Sequence, residues 1–231
     1  MRPMWQDFPD EVRFRSVASQ FMFGDSLLVA PKVTKPYGVL KHTHLQEVTY
    51  ALPVSSTWFN FYNKQAVEST LEDEWVTVTL SDLEQAVFVR GGSILPILKH
   101  DDCLAILACI NNDIRLEVYP DSGDEDSGMG LLYLDDGRSF DYSIDADKNS
   151  AQMVFSYVGN RLLATLNVGT GYTDIPNVSE AVFYGMADAP KSVTDGVGKA
   201  LTTVYESSTK TLYVQLSEDT KANDVDILIT V

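Results

Sequence analysis

Adjacent carboxylates are the first feature of this sequence that could do chemistry: Asp135 and Asp136 lie between aromatic residues in "GLLYLDDGRSFDY" (Gly130–Tyr142). Paired carboxylates serve as acid and nucleophile in glycoside cleavage when their carboxyl groups stand about 5–5.5 Å apart across one sugar. Neighbours on a strand point to opposite faces, so that geometry requires carboxylates converging from separate elements. Asp135 and Asp136 are instead followed by Gly137, and Asp-Gly between apolar–aromatic runs signals a hairpin. The acids would then satisfy backbone N–H groups of the turn, with "LLYL" and "SFDY" as its two arms. A structural turn is preferred here over a catalytic dyad.

Other candidates weigh the same way. His42 and His44 in "HTH" share one face of a strand but lack a third ligand at metal-site spacing, so two exposed histidines are the better reading. His100 falls in a polar linker and reads as solvated. Cys103 and Cys109 on one strand face would stand roughly 20 Å apart, too far for a bridge, and read as buried free thiols. Arg90-Gly91-Gly92 could form an anion-binding nest, although a bulge or tight bend is preferred. Trp5, Trp58, Phe59, Phe61 and Tyr62 could stack on sugars, yet alternation in "TWFNFY" buries about half of them in a sandwich. Asn177-Val178-Ser179 matches the glycosylation sequon, which matters only in a secretory compartment. "PDSGDEDSGMG" (120–130) lacks the alternating ligands and closing glutamate of a calcium loop and reads as a solvated connection; "DADKNS" (145–150) is a second acidic surface loop.

The elements that must position these residues are strands. "SLLVAPKV", "EVTYALPV", "TWFNFY", "EWVTVTL", "AVFVRGGSILPI", "CLAILACI" and "IRLEVYP" are rich in β-branched and aromatic residues and are broken by turn residues. "EWVTVTL" alternates, with Val76, Val78 and Leu80 on one face. "VFSYVGNRLLATL" reads as a hairpin through Gly159-Asn160, and "TVYESSTKTLYVQL" as another through its Ser-Ser-Thr-Lys loop. The best helix candidate, "DEVRFRSVASQF", amounts to a turn or two. The expected fold class is therefore all-β, with two consecutive antiparallel β-sandwich domains. A polar "KHDD" suggests a cut near residue 100, giving 1–19 as a lead-in, 20–100 as a first sandwich and 101–231 as a second.

The 231 residues suffice for two modest cores, and 45% hydrophobic residues exclude a disordered chain. A net charge of −16, with no basic cluster, disfavours nucleic acid and anionic membrane surfaces as partners. The longest apolar run, "CLAILACI", is far short of the roughly 20 residues of a membrane helix. "MRPMWQDFPDE" carries charges and prolines where a signal peptide would be apolar, and Met1 reads as an internal residue of a longer parent.

"LLYLDDGRSFDY" resembles the distal C-terminal domain of glycoside hydrolase family 31, the α-glucosidase family. Four further stretches are similar to that family in the family's order. They are "MRPMWQDFP" (1–9) leaving the catalytic barrel, "QFMFGDSLLVAPKV" (20–33) opening the proximal C-terminal sandwich, "AVFVRGGSILPI" (86–97) closing it, and "IRLEVYPDSG" (114–123) starting the distal one. Residues 1–19 thereby become the seam with the barrel, and the two sandwiches the proximal and distal C-terminal domains. The turn is most similar to that of the α subunit of endoplasmic-reticulum glucosidase II, which trims α-1,3-linked glucose from N-glycan precursors. That resemblance implies an endoplasmic-reticulum lumen location, a glycan or α-glucoside substrate for the parent and a possible regulatory subunit.

The family's (β/α)8 barrel needs ~250 residues of alternating strands and helices, so it is not contained in this chain. No "WxDMNE"-like nucleophile motif occurs. The resemblance transfers no catalytic, cofactor-binding or metal-binding position onto these residues, and no cofactor is implied. The expectation is the C-terminal part of a retaining α-glucosidase that buttresses the missing barrel and is inert alone, with a bare apolar patch near Arg2–Phe23. The alternative is a free-standing carbohydrate-binding module, which would bind oligosaccharides by itself; a plain adhesion sandwich ranks below both.

Overall fold

The computed structural model describes residues 1–32, 45–71, 74–81, 84–99, 112–121 and 127–231. His42, His44, His100, Cys103, Cys109 and residues 122–126 of the 120–130 loop lie outside them. The described chain is almost entirely β and divides into two compact units, Met1–Gly91 and Gly92–Val231. Among the described residues no helix is long and apolar enough to cross a membrane.

In the first unit, strands β1 (Arg2–Pro3), β2 (Phe21–Phe23), β3 (Leu27–Ala30), β5 (Trp58–Asn60), β6 (Ala66–Val67) and β8 (Ala86–Arg90) form one sheet in the order β1-β2-β3-β8-β5-β6. Strands β4 (Leu45–Tyr50) and β7 (Val76–Ser81) form a separate two-stranded ribbon. Period-2 alternation puts Met22, Leu28, Ala30, Trp58, Ala86 and Phe88 into one core, and register aligns Met22 with Leu28 and Leu28 with Phe88. The ribbon covers that core with Val48 and Tyr50 from β4 and Val76, Val78 and Leu80 from β7, the face that the alternation of "EWVTVTL" implies. Met4, Phe8 and Phe14 join the same core, so the lead-in 1–19 is part of this unit. Its "DEVRFRS" stretch makes one short 3-10 helix, Val12–Ser16, after the single-turn helix α1 (Met4–Asp7).

The second unit is one ten-stranded sheet: β9 (Ser93–Leu98), β10 (Ile114–Tyr119), β11 (Gly128–Asp135), β12 (Ser150–Val158), β13 (Arg161–Val168), β14 (Val178–Phe183), β15 (Ser192–Asp195), β16 (Thr202–Glu206), β17 (Thr211–Gln215) and β18 (Asp226–Thr230). Its order is β15-β18-β13-β12-β11-β9-β10-β14-β17-β16. Four strand spacings separate β12 from β14, about 19 Å on a flat sheet. Yet the Tyr157 and Phe183 rings on those strands stand 5.4 Å apart. The sheet therefore folds over on itself, and both halves bury their inner faces in a single core containing Leu116, Val118, Met153, Phe155, Phe183, Val214 and Ile227. Pairing is antiparallel except along β10–β14 and at the β9–β11 contact, which are parallel.

Both expected hairpins are present. Val158 pairs with Arg161, and Gly159 and Asn160 have φ of 58° and 61°, as a two-residue turn of primed type requires. Glu206 pairs with Thr211 across the Ser-Ser-Thr-Lys loop, with Lys210 at φ 53°. Strand β9, expected at the close of the first sandwich, instead pairs with β10 residue by residue from Ser93↔Tyr119 to Leu98↔Ile114. The "SILPI" pattern would suit either sheet; the pairing partner assigns the strand.

Candidate functional site

Asp135 ends β11, and the chain turns at Gly137, whose φ of 63° favours glycine. Asp135 Oδ1 accepts from Gly137 N (2.8 Å), and Asp136 Oδ1 accepts from Arg138 N (3.0 Å) and Ser139 N (2.9 Å). These backbone donors hold the Asp136 carboxyl below the usual carboxylate range. An acid so stabilised as its anion cannot protonate a leaving group at neutral pH, and its neighbour caps the same turn. The pair is a turn device.

The arms of that turn differ from expectation. Strand β11 pairs with β12, from Gly128↔Tyr157 to Asp135↔Ser150, and "SFDY" forms no strand. The connection runs through a 3-10 turn, Asp141–Ser143, and a one-turn helix α2 (Ala146–Asn149) capped by Asp145. Asn149 Nδ2 donates to the Asp141 and Asp145 carbonyls at 3.1 Å, which makes the local turn outcompete strand pairing. Asp147 then accepts from Thr170 N (2.9 Å) and Thr170 Oγ1 (2.7 Å), which keeps its pKa low. The acidic "DADKNS" stretch is thus a clasp between this loop and the end of β13.

The Arg90-Gly91-Gly92 turn offers no anion nest. Gly91 N donates to Thr57 O and Gly92 N to Tyr119 O, each at 2.7 Å, so both N–H groups are consumed. Gly92 has φ 78°, in keeping with a tight bend. Arg90 donates to Ser56 Oγ and lies 5.1 Å over the Phe8 ring. Of the aromatics proposed as a platform, Trp58 and Phe59 are buried, Trp58 donating from Nε1 to Pro53 O, whereas Trp5 and Tyr62 are about half exposed. Asn177 of the sequon bridges to Lys221, with its Oδ1 and the Ser179 hydroxyl buried and Val178 in the core.

Two clefts remain. One in the second unit, about 390 Å³, is lined by Asp195, Lys199, Gln215 and Asp226 among others. Three of its polar side chains already serve the fold: Asp226 pairs with Arg161 at 2.6 Å, Asp195 caps its own loop, and Gln215 donates to Glu180. The other lies in the first unit, about 510 Å³, between the end of the β4–β7 ribbon and strands β5 and β6. Tyr50, Asn60, Asn63, Gln65, Glu68, Ser69, Thr70 and Glu74 supply its polar wall. Tyr50 is only 6% exposed, its ring packs 4.5 Å from Phe88, and desolvation raises its pKa. Its hydroxyl has no hydrogen-bond partner among the described residues. No local signal in "EVTYALPV" marks Tyr50; the tertiary fold alone opens a cleft beside it.

One further buried polar group escaped the sequence reading. Glu117, 1% exposed on β10, accepts from Arg115 Nη2 (2.6 Å) and from the Tyr119 hydroxyl (2.7 Å). Tyr119 stacks on Tyr184 at 4.9 Å, and burial pushes both phenols well above their ordinary value. Among the described residues no group of three His, Cys, Asp or Glu side chains could hold a metal.

Comparison with known proteins places this fold. Residues 1–95 match the glycosyl hydrolase family 31 C-terminal domain. The chain is 28% identical over 200 residues to neutral alpha-glucosidase AB of Mus musculus, covering 84% of this chain and 19% of that protein. It is 28% identical over 235 residues to neutral alpha-glucosidase C of Homo sapiens, covering 99% and 24%. A crystal structure of ER glucosidase II, a complex of the catalytic subunit with the binding domain of the regulatory subunit, superposes with a TM-score of 0.73 at 20% identity, covering 99% of this chain and 25% of that one. Residues 1–95 are thus similar to the C-terminal domain of family 31 glycosyl hydrolases, and the chain spans about a fifth to a quarter of the length of the curated relatives named here.

Proposed function

We propose that these residues are the proximal and distal C-terminal domains of a retaining α-glucosidase, supporting a catalytic (β/α)8 barrel that lies outside them, and that they are inert alone. The parent would release α-glucose from glucosides or N-glycans. Likeness to glucosidase II extends the proposal to the endoplasmic-reticulum lumen and to a regulatory subunit as partner.

The observation that carries the supporting role is the two-sided apolar character of the chain's first residues. Met4, Phe8 and Phe14 fill the first unit's core, while Met1, Trp5, Val12 and Phe23 stay exposed. A segment apolar on both sides has one side left for a partner surface. In the second unit, Met129, Leu131 and Tyr133 make a similar exposed row along β11. Support of this kind acts on catalysis by positioning, where errors near 1 Å are costly.

Add-back tests the proposal. A separately produced polypeptide carrying the parent's barrel should hydrolyse nitrophenyl α-glucoside only in the presence of this chain, and this chain alone should show no turnover. Hydrolysis of maltose or the nitrophenyl glucoside by the chain alone, lost in Asp136→Asn, would overturn it.

A further inference from the structure

We infer that the cleft lined by Tyr50, Asn60, Asn63, Gln65, Glu68 and Glu74 in the first unit binds a neutral, hydroxyl-rich ligand, a saccharide. The inference goes beyond the supporting role proposed above and does not depend on it.

The first observation is Tyr50. Its ring is buried, while its hydroxyl, which has no hydrogen-bond partner among the described residues and is not one of their sealed unpartnered atoms, is left open to solvent. It lines the cleft, so a ligand there can displace water and take up both its donor and its acceptor. Its raised pKa keeps it protonated, able both to donate and to accept.

The second is the orientation of the amides. Asn60 Oδ1 accepts from Tyr62 N (2.9 Å) and Asn63 N (3.1 Å), and Asn63 Oδ1 accepts from Gln65 N (3.0 Å). Backbone donors fix which end of each amide is oxygen, leaving both Nδ2 groups without a protein partner among the described residues. Gln65, Glu68 and Glu74 add further amide and carboxylate groups to the wall.

Charge and shape then select the ligand. Among the described residues no Lys or Arg lines the cleft, and the chain carries a net charge of −16, so an anion would be repelled. Among the described residues, two carboxylates without a third ligand do not make a cation site. Fixed amide donors, carboxylate acceptors and one phenol suit vicinal hydroxyls, each of which donates and accepts. The volume falls in the range of about 300–1,000 Å³ usual for small-molecule sites.

The test titrates the 231-residue chain with maltotriose, by calorimetry and by amide chemical shifts, using trigalacturonate as the anionic control. Maltotriose should bind and trigalacturonate should not. Tyr50→Phe should weaken binding about fivefold, while its melting temperature holds or rises because the lost hydroxyl bonds to nothing in the fold. Asn60→Asp and Asn63→Asp keep the oxygen that caps the turn and remove the Nδ2 donors, and each should weaken binding by at least as much. Absence of maltotriose binding at concentrations on the order of 10 mM would overturn the inference. So would affinity unchanged in all three variants, or equal binding of the uronate. Add-back activity reads the supporting role separately, so either idea can fail without the other.

Discussion

Arg13 and Glu11 form a buried ion pair that fastens the chain's first residues to the first unit, and its removal gives a sharp quantitative test. Their side chains are 7% and 9% exposed. Arg13 reaches Glu11 Oε2 from Nη2 (2.7 Å) and Nε (3.1 Å), Thr70 Oγ1 (3.1 Å), and the carbonyls of Leu52 (3.1 Å), Thr70 (3.2 Å), Glu74 (3.2 Å) and Leu71. Glu11 Oε1 accepts from Val54 N at 3.0 Å. Three segments distant in sequence therefore meet at one guanidinium, one of them the 70–74 wall of the Tyr50 cleft. Arg13→Ala leaves a buried carboxylate and several carbonyls unpaired, a loss of about 3–5 kcal/mol. All three tryptophans, Trp5, Trp58 and Trp75, belong to the first unit, so their fluorescence reports its unfolding alone. With a urea slope of about 2 kcal/mol/M, the midpoint should fall by about 2 M. Replacing both partners, Glu11→Leu with Arg13→Met, should cost less than Arg13→Ala, because no buried charge is then stranded. A midpoint shift below about 0.5 M for Arg13→Ala, the size expected of an exposed pair, would refute this account.

Other outcomes follow from single contacts. Gly130→Ala would put a methyl group 2.2 Å from the Ile94 carbonyl oxygen and 2.9 Å from Ile94 Cβ, so calorimetric melting of the second unit should show a loss of about 1–3 kcal/mol or more. Asp136, Asp147 and Asp226 have folded pKa values below their ordinary ones, so each binds fewer protons folded than unfolded. Their contribution is complete at neutral pH and is lost as pH falls from about 4 through the lower folded values. Arg161→Ala should abolish the Asp226 share of that acid sensitivity in thermal melts at stepped pH. With Asn177 Oδ1 buried beside a core valine, chain folded in a glycosylating host should carry Asn177 unmodified by intact mass.

Much of the architecture was legible because it is encoded locally. Gly159-Asn160 supplies positive φ at two successive residues, which only a primed turn uses, so the β12–β13 hairpin could be read from four residues. The alternation of Val76, Val78 and Leu80 likewise fixes which face of β7 is buried whatever it packs against. The Asp135-Asp136-Gly137 turn was legible for the same reason, since acids capping N–H groups two or three residues onward need nothing distant. "SFDY" misled because its aromatics resemble a strand, whereas Asp145 and Asn149 supply nearer hydrogen bonds that hold it as a turn. Strand β9 carried no mark of which sheet would claim it.

Sequence alone determined the all-β class, the positions of the tight turns and the likeness to family 31, because each rests on contacts between residues a few positions apart. Tertiary structure alone decided that Arg13 is buried, that Tyr50 keeps an unbonded hydroxyl beside a cleft, and that one ten-stranded sheet closes over its own core. Those features depend on distant segments arriving at one place, 39 residues apart for Arg13 and Leu52 and 61 for Arg13 and Glu74, and no short window of sequence records the partner that will be there.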